Sequence, residues 1–265
     1  MFFLKMKLLT FSKKIIYYNF FTKFVGRILT QRLYKSISLI NDNSRLKGSI
    51  WVDRHKSLFH IWAIKKNKKL YYESNNFFLK FYKEKKKKIS KLPISGGISN
   101  SKSGGGGNET LLYFLVRLIN AKNVLETGVS AGSSSRCILE GLAENGLGTL
   151  FSSDLATVLR KEDVGILVTN QLRKNWILYH DGDKKNLPEI FKKKILFDIV
   201  YYDSDKSYSA KKWFHNEIIK INPPKILIYD DIDRNLFFPE CVKLYGYKYK
   251  VFGNVGIIFF DETFF

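Results

Sequence analysis

The sequence predicts an α/β fold: a Rossmann-like, seven-stranded, mostly parallel sheet with an antiparallel hairpin at one edge, preceded by a basic, mainly helical N-terminal extension. From Glu109 onward short apolar runs alternate with helical stretches, which is typical of βαβ units. The last two apolar runs follow each other closely with Gly253-Asn254 between them, which indicates an antiparallel pair. The positive charge of the chain is concentrated before this alternating region.

The composition divides the chain into three parts. Residues 1–92 are basic and mostly helical in pattern, and no motif in them carries chemistry. Residues 93–107 are dense in Gly and Ser, which predicts a flexible linker or a mobile loop. Residues 108–265 carry the alternating pattern and form the predicted α/β domain.

Each element of the alternating region has its own signal. The first helix, ETLLYFLVRLINA, has apolar residues at helical spacing. The strands are compact apolar runs, namely NVLETG, TLFSSDL, WILYHDGD, FDIVYYD, KILIYDD, YKVFG and VGIIFF. Further helices are predicted from Ser133, near 160–172, in LPEIFKKK, from about Tyr208 and in PECVKLYG.

The net charge of +21 belongs almost entirely to the N-terminal part. Residues 1–105 hold 24 Lys and Arg against 4 Asp and Glu, whereas residues 106–265 hold 21 against 20. A compositional bias explains this equally well, and a run such as Lys85–Lys88 is usually a solvated face. The functional alternatives are an anionic membrane surface, an acidic substrate or RNA.

Cysteine and histidine usage indicates a reducing, cytoplasmic setting. Cys137 and Cys241 give no disulfide framework, and the four histidines form no zinc pattern. The N-terminal apolar stretches are broken by lysines and lack a small-residue cleavage site, so no signal peptide is predicted. No apolar run reaches the ~18 residues of a membrane span, and a peripheral membrane location is the alternative.

Nearly every predicted parallel strand finishes in carboxylates. Ligands of such sheets bind beyond the carboxyl ends of the strands, near the point where the strand order reverses. Five acidic strand ends in one chain are more than turn chemistry requires. These ends are Glu126-Thr127-Gly128, Asp154, Asp181-Gly182-Asp183, Asp203-Ser204-Asp205 and Asp230-Asp231.

The segment LETGVSAGSSS is a strand that runs into a glycine loop and then a helix. Gly128 and Gly132 allow a tight turn and a close approach to a ligand, and Ser133 and Ser134 open the helix, where free N–H groups can bind a carboxylate or phosphate. The pattern is ExGxxxGxS, and Ser130 excludes the dinucleotide fingerprint GxGxxG. A plain strand-to-helix turn is the alternative.

The acids that follow favour a cationic, nucleoside-like cofactor. Asp154 ends the second strand, 26 residues after Gly128, where an acid can accept hydrogen bonds from both ribose hydroxyls. Asp183, paired with Gly182 after the third strand, is suited to an adenine amino group. So many carboxylates would serve a phosphate-rich ligand poorly.

Residues of roughly 108–262 resemble class I S-adenosylmethionine-dependent methyltransferases, in particular the caffeoyl-CoA and catechol-type O-methyltransferases and their sugar-methylating relatives. The motifs that carry the resemblance are NETLLYFLVRLINAKNVLETGVSAGSSS, GTLFSSDL, HDGD, FDIVYYDSDKSY and KILIYDDI. The resemblance implies the methionine part of the cofactor at Glu126, Gly128, Gly132 and Ser134, the ribose at Asp154 and the adenine near Asp183. Further cofactor contacts are predicted at Ser133, Gly182 and Asp203.

The resemblance also implies a metal site and a base. Asp203, Asp230 and Asp231 fall on the positions that hold a divalent cation in metal-dependent members, and three carboxylates would select Mg²⁺. Lys206, three residues after Asp203, falls on the position of the proposed base. Asp231 stands where many members have Asn, and many relatives have His in place of Lys206. The alternatives are a cofactor contact alone for Asp203, a helix cap for the acidic pair, and a surface lysine.

The predicted function is methyl transfer to a hydroxyl of a small molecule or glycan, for which a lipid-borne acceptor is one option. One alternative is an RNA methyltransferase that uses the basic N-terminal region. No RNA-binding module is recognisable, and Asn222-Pro223-Pro224 precedes the fifth strand, the wrong place for a base-methylating motif. A non-catalytic binding protein on the same scaffold is the third alternative, and the N-terminal region is also a candidate homo-oligomer contact.

Overall fold

The computed structural model describes residues 43–89, 108–146, 148–155 and 161–265. The predicted Gly/Ser-rich loop at 93–107 lies outside the described residues, as does the predicted extension before residue 43. No helix in the described part of the chain is long and apolar enough to cross a membrane.

Seven strands form one sheet in the order β3-β2-β1-β4-β5-β7-β6, as the alternation predicts. β1 to β5 are parallel, whereas β7 pairs antiparallel with both β5 and β6. The strand order reverses between β1 and β4, so the predicted switch point lies there. The bounds are β1 Asn123–Thr127, β2 Thr149–Ser153, β3 Trp176–Tyr179, β4 Ile199–Tyr202, β5 Ile226–Tyr229, β6 Lys248–Phe252 and β7 Val255–Phe259.

Helices cover both faces of the sheet, which explains why the central strands are apolar along their whole length. One face packs against α2, α3 and α4, and the other packs against α1, α5, α6 and α7. The bounds are α1 43–55, α2 Phe59–Ile89, α3 Glu109–Leu118, α4 Ser133–Glu144, α5 Asp183–Phe191, α6 Tyr208–Ile221 and α7 Phe237–Tyr245.

The two helices that precede residue 90 are built into these layers. In α1 the Trp51 ring lies against Phe238 and Tyr249, and the helix leads into a backbone hydrogen bond from Ser57 N to Val251 O of β6 (2.7 Å). In α2 the Trp62 ring contacts Phe114 of α3 and Phe252 of β6. The described part of the predicted basic extension, residues 43–89, therefore packs against the sheet and α3.

The helix predicted near 160–172 is wrong. The described residues there form one 3-10 turn at Lys161–Asp163 and then irregular turns. Gly165 adopts φ +72°, and a Cβ on it would lie 2.1 Å from the Trp176 ring. Its N–H donates to the Ser130 carbonyl, and Leu167 N donates to the Ala131 carbonyl. The segment thus uses its hydrogen bonds to hold the glycine loop, which a helix could not do.

Candidate active site

A cavity of about 580 Å³ lies at the carboxyl ends of β1 to β4, next to the switch point. Apolar side chains such as Leu112, Val164 and Trp213 form part of its wall. The wall also includes most of the predicted cofactor residues, namely Gly128, Ser133, Ser134, Asp154, Gly182, Asp183 and Asp203. Glu126 and Gly132 are not part of the wall.

Gly128 is required by the close approach of two strand ends. Its φ is +79°, and a Cβ at this position would lie 2.5 Å from the carbonyl oxygen of Asp203, at the end of β4. Gly132 also has a left-handed φ of +84°, and it packs against the backbone of Gly165 instead of facing the cavity. Gly128 therefore shapes the cavity directly, whereas Gly132 lets the loop dock on the segment behind it.

Glu126 is fully buried and anchors the glycine loop from below. Its carboxylate accepts hydrogen bonds from the hydroxyls of Ser134 (2.5 Å), Ser135 (2.6 Å) and Ser152 (2.8 Å). Burial raises the pKa of Glu126 to about 7, although the three hydroxyls oppose the shift. The interactions place Glu126 beneath the loop, where it orients Ser134 at the start of α4.

The raised pKa of Glu126 predicts a specific pH dependence of stability. The folded state holds the proton more tightly than the unfolded chain, so folding free energy is lost as the pH rises from about 4.5 towards 7. Between pH 5 and pH 8 we expect the wild type to lose about 3 kcal/mol more stability than Glu126→Gln, measured by urea unfolding. Equal losses in the two proteins would contradict this assignment.

Asp154 and Asp183 connect neighbouring loops around the cavity. Asp154 Oδ2 accepts from the backbone N–H groups of Val129 (2.7 Å) and Ser130 (2.9 Å) in the glycine loop. Asp183 accepts from Ser153 Oγ (2.6 Å) and from Ser204 Oγ. Burial raises the pKa of Asp183 despite these two hydroxyl hydrogen bonds. Both acids line the cavity, and the sequence analysis predicts that they bind the nucleoside part of the cofactor.

Asp203 and Lys206 form an ion pair at the end of β4. Asp203 lines the cavity, whereas Lys206 lies next to it, donates to Asp203 Oδ1 and places Nζ 3.5 Å from Asp231 Oδ2. Burial raises the pKa of Asp203 to about 7, against the opposing effect of Lys206. Burial opposes the charge of Lys206, but the Asp203 carboxylate and then the two acids after β5 outweigh it and raise its pKa.

The acidic pair after β5, Asp230 and Asp231, accepts hydrogen bonds from neighbouring protein groups. Asp230 accepts from Asp231 N (2.7 Å) and from Tyr201 OH (3.2 Å). Asp231, in the left-handed region at φ +50°, accepts from Asn254 Nδ2 (3.0 Å). Among the residues that the structure describes, no three His, Cys, Asp or Glu side chains gather as a metal site would need. The Lys206 ammonium lies between Asp203 and Asp231, so the residues as arranged do not fit the predicted divalent ion.

Lys211 is a functional candidate that the sequence analysis missed. Its side chain is completely buried, and Nζ donates to the carbonyl oxygens of Asp230 (2.9 Å) and Asp231 (2.8 Å). Burial lowers the pKa of Lys211 to about 8. Its spacing in the sequence could have indicated this burial, because Lys211 lies at helical spacing from Phe214 and Ile218 on the buried face of α6. Lys211 holds the backbone of the acidic pair in place.

A second missed group connects α2 to the glycine loop. Lys85, within the lysine run, donates to Glu109 Oε1 (2.6 Å), which also accepts from Ser133 Oγ (2.9 Å). Lys85 and Glu109 are only 13% and 5% exposed, so this lysine does not belong to a solvated face. Burial opposes the charge of Glu109, but Lys85 outweighs it and lowers its pKa.

Replacement of Lys85 is therefore expected to lower the stability of the fold. Lys85→Met removes the ammonium that pairs with the buried Glu109 carboxylate, and we expect a loss of about 3 kcal/mol in the free energy of unfolding. The matched control is Lys86→Met, the exposed neighbour in the same run, which should change stability by less than about 0.5 kcal/mol. Equal changes of the two variants in chemical denaturation would show that the Lys85–Glu109 ion pair does not stabilise the fold.

Comparison with known proteins agrees with this site. Residues 125–232 match the family model described as a methyltransferase domain. No protein with a curated description matches the chain.

Solved methyltransferase structures are similar in outline and distant in sequence. An O-methyltransferase from Bacillus cereus in complex with S-adenosylhomocysteine is 16% identical, with a TM-score of 0.48, over 68% of this chain and 90% of that one. A Podospora anserina methyltransferase is 12% identical (TM-score 0.48) over 68% and 86%. A TDP-rhamnose 3'-O-methyltransferase of calicheamicin biosynthesis is 13% identical (TM-score 0.46) over 69% and 94%.

The matched family segment includes the glycine loop, every acidic strand end and the Asp203–Lys206 pair. Residues 125–232 thus match a methyltransferase domain, which agrees with the resemblance seen in the sequence.

Proposed function

We propose that the protein transfers the methyl group of S-adenosylmethionine to a hydroxyl of a small molecule or glycan. The observation that carries this proposal is that the glycine loop and Asp203 border the same cavity, one on each side of the switch point, and that Asp203 holds Lys206 beside this cavity. The sulfonium of the cofactor already supplies an activated leaving group. The protein therefore has to align the acceptor oxygen, exclude water and remove one proton.

In this proposal the cofactor binds in the cavity, along the wall that extends from the glycine loop to α5. Ser133 and Ser134 face its methionine part, Asp154 accepts from the ribose, and Asp183 with Gly182 lies at the adenine. Because Asp154 Oδ2 accepts from two loop amides, ribose binding has to share or replace those hydrogen bonds. The carboxylates of this wall favour a cationic ligand.

Lys206 is the proposed proton acceptor, held by Asp203. Its side chain is 30% exposed, so an acceptor hydroxyl can reach it. The surrounding carboxylates favour the ammonium form, and the positive charge of a bound sulfonium opposes them, which makes the neutral amine more accessible when the cofactor is in place. With S-adenosylmethionine bound, the bond between the methyl carbon and the sulfonium sulfur would break as the bond to the acceptor oxygen forms, and S-adenosylhomocysteine would leave as a neutral thioether. The hydroxyl proton would pass to the neutral Nζ of Lys206.

The test is an acceptor screen with methyl-labelled S-adenosylmethionine. The panel contains catechols, nucleotide sugars, lipid-linked sugars and total RNA, and the product is analysed by mass spectrometry. We expect the label on an oxygen of one of the hydroxylic small molecules or glycans. Label on RNA would favour the RNA alternative, and binding of cofactor with no transfer to any class would favour a binding protein.

The predicted Mg²⁺ needs a separate test. The proposed transfer uses no metal ion, because Lys206 takes the place between Asp203 and Asp231. We therefore expect the initial rate with the best acceptor to be unchanged by EDTA. A loss of rate that is restored by Mg²⁺, and not restored in Asp230→Asn, would instead support the metal site predicted from the sequence.

A cytoplasmic location and an acceptor that is not a nucleic acid are parts of the same proposal. Peripheral membrane contact and a homo-oligomer are independent of the transfer chemistry. The first of these has specific support in α2.

A further inference from the structure

The helix α2 has two contrasting faces. Leu70, Ser74 and Phe81 recur at helical spacing and are buried against the domain. On the opposite face Tyr72, Leu79 and Tyr82 are 51%, 59% and 51% exposed. Lys68, Lys83 and Lys86 lie on that same outward face and are also exposed. We call these six residues the outer face of α2.

Apolar exposure is concentrated in this part of the molecule. Seven of the fifteen large hydrophobic side chains that are exposed in the described residues fall within residues 43–89. Leu58 and Ile61, before the kink at Asn67, are 61% and 46% exposed. This concentration of exposed apolar side chains favours a binding surface in this part of the molecule.

The charge of α2 is almost all positive on its outward side. The helix holds ten lysines and two glutamates. Both glutamates have partners in the domain: Glu73 accepts from Tyr113 OH (3.0 Å), and the partly exposed Glu84 lies 3.7 Å from Arg136. They therefore do little to neutralise the lysines of the outer face.

We propose that the outer face of α2 docks on the surface of an anionic lipid bilayer. Lysine side chains can meet the headgroups while Leu79 and the tyrosine rings enter the boundary between headgroups and acyl chains. A second copy of the chain on this face would bring the lysine clusters together and is disfavoured by repulsion. RNA could use the lysines and stack bases on Tyr72 and Tyr82, but it would leave the exposed Leu79 in water, whereas a bilayer would bury it.

This inference does not depend on methyl transfer. It deepens the proposed function only by placing the cavity near a membrane, because Lys85 of the same helix contacts Glu109 on the cavity wall. An acceptor carried on a lipid would then be presented to the enzyme at the bilayer surface.

Sedimentation of the full chain with lipid vesicles tests the proposal. The vesicles are phosphatidylcholine alone or mixed with phosphatidylglycerol. We expect binding to the mixed vesicles only, and at least a tenfold lower partition coefficient for the triple variant Lys68→Glu, Lys83→Glu, Lys86→Glu. A second triple variant, Tyr72→Ser, Leu79→Ser, Tyr82→Ser, should also reduce binding.

The matched control changes the same total charge elsewhere. Lys192, Lys193 and Lys194 are exposed after α5, and their replacement by Glu should reduce binding by less than threefold. Circular dichroism and S-adenosylhomocysteine affinity establish that each variant is folded. The proposal is overturned if the wild type does not bind mixed vesicles or if the control loses as much binding. It is also overturned if the outer-face variants instead abolish a dimer in ultracentrifugation or binding to an RNA oligomer.

Discussion

Gly128→Ala is expected to abolish measurable binding of S-adenosylhomocysteine. A Cβ at this position would lie 2.5 Å from the Asp203 carbonyl oxygen, which is backbone and cannot rotate away. The left-handed φ of +79° adds a further penalty for any side chain. The ends of β1 and β4 must separate, and this displaces the glycine loop and Asp203 on the two sides of the cavity. We expect at least a hundredfold weaker affinity in a calorimetric titration.

Gly246→Ala is the matched control for this prediction. Gly246 also has a left-handed φ (+66°), at the end of α7, but a Cβ added there would meet no atom within 4 Å. Its replacement should cost about 1 kcal/mol of stability and leave cofactor affinity unchanged. If the two alanine variants bind the cofactor equally well, Gly128 does not shape the binding site.

Lys206→Met is expected to lower kcat by about 10²- to 10⁴-fold, the range for loss of a positioned proton acceptor. The affinity for S-adenosylhomocysteine should change little, because Lys206 does not line the cavity and contacts it through Asp203. Lys206→Arg retains the positive charge beside Asp203 and Asp231 but cannot readily lose a proton. It should therefore be as inactive as the methionine variant.

The arginine variant separates a base from a structural cation. High activity in Lys206→Arg would mean that only the positive charge is needed, and the assigned role would be wrong. Lys212→Met, at an exposed position on α6, controls for general effects of removing a lysine and should retain full activity. The rates are measured as release of S-adenosylhomocysteine with the best acceptor of the screen.

The sheet could be predicted from the sequence because its signals are local. Ile199–Tyr202 and Ile226–Tyr229 are buried throughout, and strands covered on both faces read as continuous apolar runs. The carboxyl ends of parallel strands meet at one edge, so the acidic residues after them could be predicted to converge. The structure places Asp154, Asp183 and Asp203 on one cavity wall.

Features set by distant contacts could not be predicted in this way. The irregular path around Gly165 depends on Trp176 and on hydrogen bonds to Ser130 and Ala131. Spacing located Glu126 at the end of β1, but the hydroxyls of α4 and β2 determine where its carboxylate points.

The lysine run shows the same limit. Four consecutive lysines look alike in the sequence, and only the packing of α2 on α3 selects Lys85 as the partner of Glu109. The metal prediction depended on three carboxylates at strand ends, and sequence position could not show that Lys206 would lie between two of them.

A crystal structure of the complex with S-adenosylhomocysteine tests the central claim most directly. We predict the ligand in the cavity at the ends of β1 to β4, with its methionine part at Ser133 and Ser134 and its sulfur on the side of Asp203. The ribose hydroxyls should bind Asp154, and the adenine should lie at Asp183. A ligand bound elsewhere, or an empty cavity at saturating ligand, would contradict the account.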